Sequence, residues 1–332
     1  MLSIGPWRWI KSRRQKWFCY DIWNIGVVRK DIDEICRNGR LEDVVWAPRR
    51  RKYEFIADPF VFRNATELTV LVEKFEYVRS CKGKIVRCRL APGPGQYQLH
   101  DLLEKDCHLS YPYTFCDGDV QYCIPETNEA KRCDLYRIRE SGALELTRTL
   151  IEGVAVTDAT VFFEGGLWWL FCTHSGSAEL YIYHAETPRG EWMAHARNPV
   201  KTDVSSSRPA GPPYRRHGTL YRPAQDCSLT YGGAVAINKI LELAPDRFRE
   251  EVVCRISPER PGEYPDGFHT LNVLDGACVV DGKRTVTDWA WFFRGWVFGA
   301  RSRARIRRLR RSAGHERSAI SEVRLDQGAS PG

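Results

Sequence analysis

Ala57-Asp58-Pro59-Phe60-Val61-Phe62 is the stretch that decides the fold, because the chain repeats it. The same opening returns as Ser110-Tyr111-Pro112-Tyr113-Thr114-Phe115 and as Thr157-Asp158-Ala159-Thr160-Val161-Phe162. A weaker copy is Ser207-Arg208-Pro209-Ala210-Gly211, and the last is Gly267-Phe268-His269-Thr270-Leu271-Asn272. The key positions (58, 111, 158, 208 and 269) recur with a period of roughly 50 residues, the size of a unit built from short strands in a propeller blade.

Each copy continues in the same way. A turn leads to an apolar second strand, at 68–72, 120–124 and 167–172, closed by a polar residue: Glu73, Glu126 and His174. The fourth unit closes its second strand with Arg222-Pro223-Ala224-Gln225-Asp226. Third strands follow at 83–90, 133–138, 179–184 and 233–243. Runs of about five or six residues between Gly, Asn and Asp turns suit antiparallel blades. The expected fold is therefore all-β, a five-bladed β-propeller over residues 18–286. A β-sandwich is the alternative all-β architecture, but it gives no reason for the period. The apolar run at 18–28 reads as a strand that completes the last blade and removes a free edge. The polar stretch 31–45 reads as a short helix or a loop.

The 332 residues are 43% apolar, enough for a sizeable core. Of the net charge of +8, all is accounted for by the eight arginines between Arg294 and Arg311, where no acid occurs. The body is thus neutral, which excludes nucleic acid as the expected partner. Residues 287–311 run from aromatic to arginine-rich. They read either as an interfacial segment meeting an anionic membrane surface through Arg301–Arg311, or as an apolar hook followed by a basic tail. Residues 312–332 read as a disordered tail. Twelve scattered cysteines without a CxxC pair, and no apolar leader, point to free thiols and a cytoplasmic location, either free or peripheral on the inner membrane face. No metal spacing is present, and no cofactor is expected.

First strands of propeller blades line the central channel. The period therefore sends Asp58, Tyr111, Asp158, Arg208 and His269 toward one axial space, with Glu73, Glu126, His174 and Asp226 in a wider ring. Several acids, an arginine and histidines in one pocket form the usual concentration of groups at a site. The plainer alternatives are that Asp58 and Asp158 cap turns, that Glu126 is a loop acid, that Arg208 only neutralises the acids, and that Gln225 and Asp226 shape a turn. His108, His174 and His269 have the alternative of ordinary core or loop histidines.

Several of these motifs stand together in another family. His108-Leu109-Ser110-Tyr111-Pro112, Pro125-Glu126-Thr127, Ser207-Arg208-Pro209-Ala210-Gly211 and Tyr221-Arg222-Pro223-Ala224-Gln225-Asp226-Cys227 resemble the N-terminal propeller of plant glucosamine inositolphosphorylceramide transferases and its stand-alone bacterial relatives, over residues 46–275. More distantly the pattern resembles the five-bladed arabinanase, invertase and levansucrase enzymes. There a first-blade Asp is base or nucleophile, a third-blade Asp assists and a later Glu is the acid. The resemblance implies the first role for Asp58 and the second for Asp158. At the fourth-blade opening this chain has Arg208 in place of Glu, so Glu126 would be a substitute acid. The resemblance implies a carbohydrate or glycoconjugate ligand, met by Tyr111, His108, His174, Arg208, Arg222, Gln225, Asp226 and His269. Arg208 and Arg222 would hold an anionic group. The implied activity is glycosyl transfer or hydrolysis, with a non-catalytic sugar-binding propeller as the alternative.

Overall fold

Five sheets, antiparallel except for one two-residue edge strand, follow one another along the chain at the period of the repeated opening. The structure, a computed structural model, describes residues 18–64, 67–90 and 97–290. Blade 1 is Glu54–Asn64, Glu67–Glu76, Gly83–Leu90 and Tyr97–Leu103. Blade 2 is Ser110–Asp117, Val120–Thr127, Arg132–Ile138 and Leu144–Glu152. Blade 3 begins with Val156–Glu164, Leu167–His174 and Glu179–Ala185. Blade 4 has Thr219–Asp226, Ala234–Ala244 and Arg247–Pro258, with its first strand reduced to Tyr214–Arg216 and a bridge between Pro209 and Ala224.

Blade 5 carries the closure. Its sheet order is Leu271–Leu274, Ala277–Thr287, Cys19–Val28 and Val45–Trp46. The N-terminal strand therefore lies beside the last strand of the repeat, as the sequence predicts, and the ring has no free start. Between them the chain makes one helix, Ile32–Asn38. Asp31 caps it by accepting the Asp33 N–H at 2.9 Å, and Gly39 ends it in the left-handed conformation that favours glycine. Its apolar side, Ile32 and Ile35, is buried with Leu41, Ile237 and Ile256 of blade 4.

The chain divides into two compact units. The propeller is Ile22–Arg284. In the second unit, residues 18–21 and 285–290 are joined by Asp288 N–H donating to the Phe18 carbonyl at 2.7 Å and by the Phe18 and Trp289 rings at 4.8 Å. The arginine-rich stretch Arg301–Arg311 and the tail 312–332 lie outside the described residues. Among those described, no helix is long and apolar enough to cross a membrane.

Blades 1 to 3 share one irregularity. The register between first and second strands slips between Ala57 and Phe60, between Ser110 and Tyr113, and between Thr157 and Thr160. Each slip is a β-bulge, and it holds Asp58, Tyr111 and Asp158 at φ of 51°, 43° and 52°. A bulge re-aims the side chain it carries. Asp accepts the left-handed region at modest cost, whereas Tyr111 is strained there and must be held by its surroundings.

Arg222 is positioned differently from its expected role as an anion ligand. It is fully buried, and its guanidinium forks onto Glu250 at 2.9 and 2.6 Å and onto the Ser206 and Ser207 carbonyls. Lys201 joins the same carboxylate at 2.8 Å. Burial works against a charged Glu250, but the Arg222 and Lys201 charges and hydrogen bonds outweigh it and hold the group below the usual carboxylate range. Glu250→Ala would strand two buried cations. It is expected to cost about 3–5 kcal/mol of unfolding free energy, read from a urea transition. A loss within about 0.5 kcal/mol would show that the network is dispensable.

Candidate functional site

The three bulges bring Asp58, Tyr111 and Asp158 to the propeller axis, and blades 4 and 5 add Arg208 and His269. Their polar contacts form two clusters, one around Asp58 and one around Asp158. Asp58 accepts the Thr270 hydroxyl at 2.9 Å on one oxygen and the Tyr111 N–H at 3.1 Å on the other. His269 Nδ1 is 3.6 Å from Asp58 and 2.6 Å from Asp281. Asp281 also accepts the N–H groups of His269, Thr270 and Asp58, at 2.8, 3.1 and 3.3 Å. Across the ring, Arg208 Nε donates to Asp158, which also receives Gln225 Nε2 at 3.3 Å. Glu126 Oε2 accepts the Asp158 N–H at 3.1 Å.

A repeated device underlies this. A carboxylate at the end of one blade's second strand accepts the N–H of the bulged residue in the next blade. Asp281 does so for Asp58, and Glu126 does so for Asp158. The bulge turns that N–H out of the sheet ladder, so it needs an acceptor from elsewhere. The sheet register names the full ring of second-strand positions as Glu73, Glu126, Thr173, Gln225 and Asp281.

Two residues expected in that ring are displaced by one position. His174 turns away and stacks on Tyr181 at 3.5 Å, and Thr173 takes the place. Asp226 is engaged with Arg255 at 2.6 Å and with Ser228, while Gln225 faces the axis. Strand side chains alternate, so an error of one residue reverses the face. His108 lies at the junction of blades 1 and 2, where its Nδ1 accepts the Gly83 N–H at 2.9 Å and its Nε2 is 3.6 Å from Glu73. Arg222 is outside the cluster altogether.

Sequence reading passed over Asp281, Thr270, Trp23 and Tyr231. Trp23 stacks on His269 at 3.9 Å, and Tyr231 lies under the Arg208 guanidinium at 5.1 Å. Asp281 was findable. Cys278-Val279-Val280-Asp281 repeats the apolar strand with a polar close already noted at Glu73 and Glu126. Trp23 and Tyr231 come from a closing strand and a loop, where no period applies.

Electrostatics separate the acids. Asp58 and Glu126 are 5% and 8% exposed. Burial pushes Asp58 up to about 6, with the His269 charge opposing and the Asp281 and Asp158 charges adding. Burial pushes Glu126 higher, to about 8, with Asp158 adding and Arg208 opposing. Burial drives Glu73 well above the usual carboxylate range. For His269 burial opposes the charge, but Asp281 and Asp58 prevail and raise it. The axis thus holds Asp58 nearer its charged form than Glu126. Asp58, His269 and Asp281 also offer ligand atoms within 4.8 Å of one another, with the histidine serving as the counter-charge.

The family model described as glucosamine inositolphosphorylceramide transferase 1, N-terminal, matches residues 47–268, and the chain belongs to that family. Glucosamine inositolphosphorylceramide transferase 1 of Oryza sativa subsp. japonica is 36% identical over 207 residues, 59% of this chain and 27% of the relative. The Arabidopsis thaliana protein of the same name is 28% identical over 219 residues, 63% of this chain and 28% of the relative. The chain therefore spans only about a quarter of these relatives. Among solved structures, an exo-β-1,3-galactanase from Clostridium thermocellum aligns at a TM-score of 0.49 and 12% identity, over 60% of this chain and 49% of that one. A thermostable family-43 glycoside hydrolase aligns at 0.43 and 12%, over 63% and 96%.

The raised Glu126 has a stability signature. Its folded value lies above its ordinary one, so the native state holds the extra proton between the ordinary value of 4.5 and about 8. Its contribution to stability is full below the ordinary value and is lost as pH rises through the folded one. Glu126→Gln keeps an oxygen for the Asp158 N–H but does not titrate. Its stability relative to wild type is expected to rise with pH across this window, by up to about 1.4 kcal/mol per pH unit. Parallel urea-stability profiles for the two proteins would mean that Glu126 is not raised.

Proposed function

We propose that this member of the glucosamine inositolphosphorylceramide transferase N-terminal family is a carbohydrate-active protein, acting by glycosyl transfer or hydrolysis on a phosphorylated or lipid-linked sugar. The observation that carries the reading is the convergence of Asp58, Glu126 and Asp158 on the propeller axis with Arg208 and His269 beside them. Cleaving or forming a glycosidic bond asks for one carboxylate that is charged and one carboxyl that holds a proton. Environments that push two carboxyl groups apart make that division. Here Asp58 is the base or nucleophile, and Glu126, raised to about 8, is the acid. Asp158 tunes the pair and fixes Arg208. Arg208 uses its Nε–H on Asp158, so its outer N–H groups remain for an anionic part of the sugar. The reading calls on no cofactor.

A second reading, a sugar-binding or scaffold propeller in a glycan assembly system, is favoured by one observation. Asp158 is tied to Arg208, and both Asp58 oxygens already accept hydrogen bonds, an arrangement that also suits a rigid binding floor. A cytoplasmic setting at an anionic membrane, reached through Arg301–Arg311, accords with either reading and rests on sequence alone.

Asp58→Asn separates the two. The wild-type chain is assayed against phosphorylated and lipid-linked sugars for release or transfer. An enzyme is expected to lose about 10²–10⁴-fold in turnover on this change, with melting temperature and sugar affinity retained. Sugar binding that persists without product from either protein would establish the binding reading and end the catalytic one.

A further inference from the structure

Arg222 is occupied by Glu250, so the chain's provision for an anion has to be sought elsewhere, and a second cluster of arginines answers. A cavity of about 420 Å³ lies beside blade 4, lined by Arg40, Arg255 and Arg260 together with Asp226, Ser228 and Leu229. The sheet explains why the arginines meet. The short strand Arg40–Leu41 adds to Arg247–Pro258 in parallel, with Arg40 opposite Ser257. Arg255 and Ser257 are two residues apart on that strand and so face the same side. Arg260 follows two residues beyond its end.

The charge is unbalanced. Asp226 is the only acid among the lining residues, and Arg255 neutralises it at 2.6 Å. Arg260 spends its Nε–H on the Pro265 carbonyl at 2.8 Å, which leaves the fork of its guanidinium for a ligand. Arg40 is exposed, and no acid of the described residues pairs with it. Two uncommitted guanidinium groups around a hollow are suited to the bidentate grip of a phosphate.

The cavity also shares a wall with the axis. The loop 227–233 turns Ser228 and Leu229 toward the cavity. It turns Tyr231 toward Arg208 and His269, at 5.1 and 5.3 Å. Lys283, from blade 5, anchors the loop by donating to Thr230 at 3.2 Å and to the Tyr231 carbonyl. Leu229, at the tip, is 96% exposed. A large apolar side chain held fully in water beside a cationic hollow is poised for contact with an apolar group attached to the anion.

We infer that the Arg40–Arg255–Arg260 cavity is a phosphoryl-binding subsite that holds the phosphate of a glycoconjugate next to the axial site. The subsite stands on the cavity itself; only the direction in which the sugar points rests on the function proposed above. The phosphate comes either from a soluble sugar phosphate or from a lipid headgroup, and Leu229 distinguishes the two.

The test uses the full chain, with glucose 1-phosphate followed by calorimetry and with sedimenting vesicles of equal parts phosphatidylcholine and phosphatidylinositol. The double variant Arg40→Ala/Arg260→Ala changes two exposed residues, and a thermal melt checks that it folds. It is expected to bind at least one probe about tenfold or more weakly than wild type. Loss of glucose 1-phosphate binding identifies a soluble source. Loss confined to vesicles, and shared by Leu229→Ser, identifies a lipid. Arg189→Ala, which removes an exposed arginine outside the cavity, should bind the responding probe as wild type does. The readout is binding and not turnover, so failure of the axial chemistry leaves this result untouched. If wild type binds neither probe, or if the double variant matches it on both, the subsite is refuted.

Discussion

The structure depends on the N–H of a bulged residue and the acid that receives it. A left-handed bulge takes the N–H of Asp58, Tyr111 and Asp158 out of register with the neighbouring strand. A buried N–H without an acceptor costs about as much as a lost hydrogen bond with its full desolvation penalty. Asp281 and Glu126 meet that requirement for Asp58 and Asp158, and Asp58 meets it for Tyr111. Each acceptor comes from the blade before the donor. The hydrogen bonds that relieve the bulges therefore also stitch neighbouring blades together, and they do so with carboxylates. The acidic character of the axis is a structural necessity before it is a chemical opportunity.

That necessity generates the electrostatics. Carboxyl groups drawn into a buried ring repel one another and lose hydration, so some must give up charge. The ring divides the burden unequally. Asp58 has His269 close by, itself held by Asp281 and stacked against Trp23. Asp158 has Arg208 and Gln225. Among the described residues, Glu126 accepts one N–H but has no cation in hydrogen-bond contact, and Glu73 has only a histidine that burial holds toward its neutral form. Burial raises Asp58 to about 6 even so, but it carries Glu126 higher, to about 8, and Glu73 well above the usual carboxylate range. A site able to give and take protons follows from which acids received a cationic neighbour.

Much of this was legible because a propeller converts sequence period into spatial convergence. The recurrence of 58, 111, 158, 208 and 269 placed five side chains on one axis without any coordinates, and the apolar run at 18–28 found its place in the last blade for want of any other partner. What failed did so for local reasons. The second-strand ring was read from the polar residue that closes each run, but in blades 3 and 4 the residue that faces the axis is the one before it. Alternation then exchanged Thr173 for His174 and left Asp226 facing away. Arg222 lies in a motif rich in polar residues, and no one-dimensional pattern shows that its partner Glu250 is two strands away in the same sheet. Trp23 and Tyr231 reach the site from elements that belong to no repeat.

Blade 4 breaks the pattern, and the break gives the site its direction. Its innermost stretch has no left-handed bulge at Arg208. Gly211 takes the unusual backbone instead, at φ 133°, where a side chain would sit 2.1 Å from the Leu271 carbonyl. The Gly211 N–H reaches the Tyr111 hydroxyl at 2.8 Å, and the same hydroxyl meets Thr160 at 3.0 Å. Tyr111 thus spans the axis from blade 2 to blades 3 and 4, and its strained backbone is held from the far side of the ring. With the axis crossed there, Arg208 needs neither to stitch blades nor to cap an N–H. It is the one axial group whose side chain keeps substantial exposure, 27%, while Asp158 opposite has 4%. A ring of buried acids with one partly exposed cation, under the same loop that walls the arginine cavity, presents positive charge outward and keeps negative charge within. That order of charges favours an anionic group over a neutral one at the mouth of the axis.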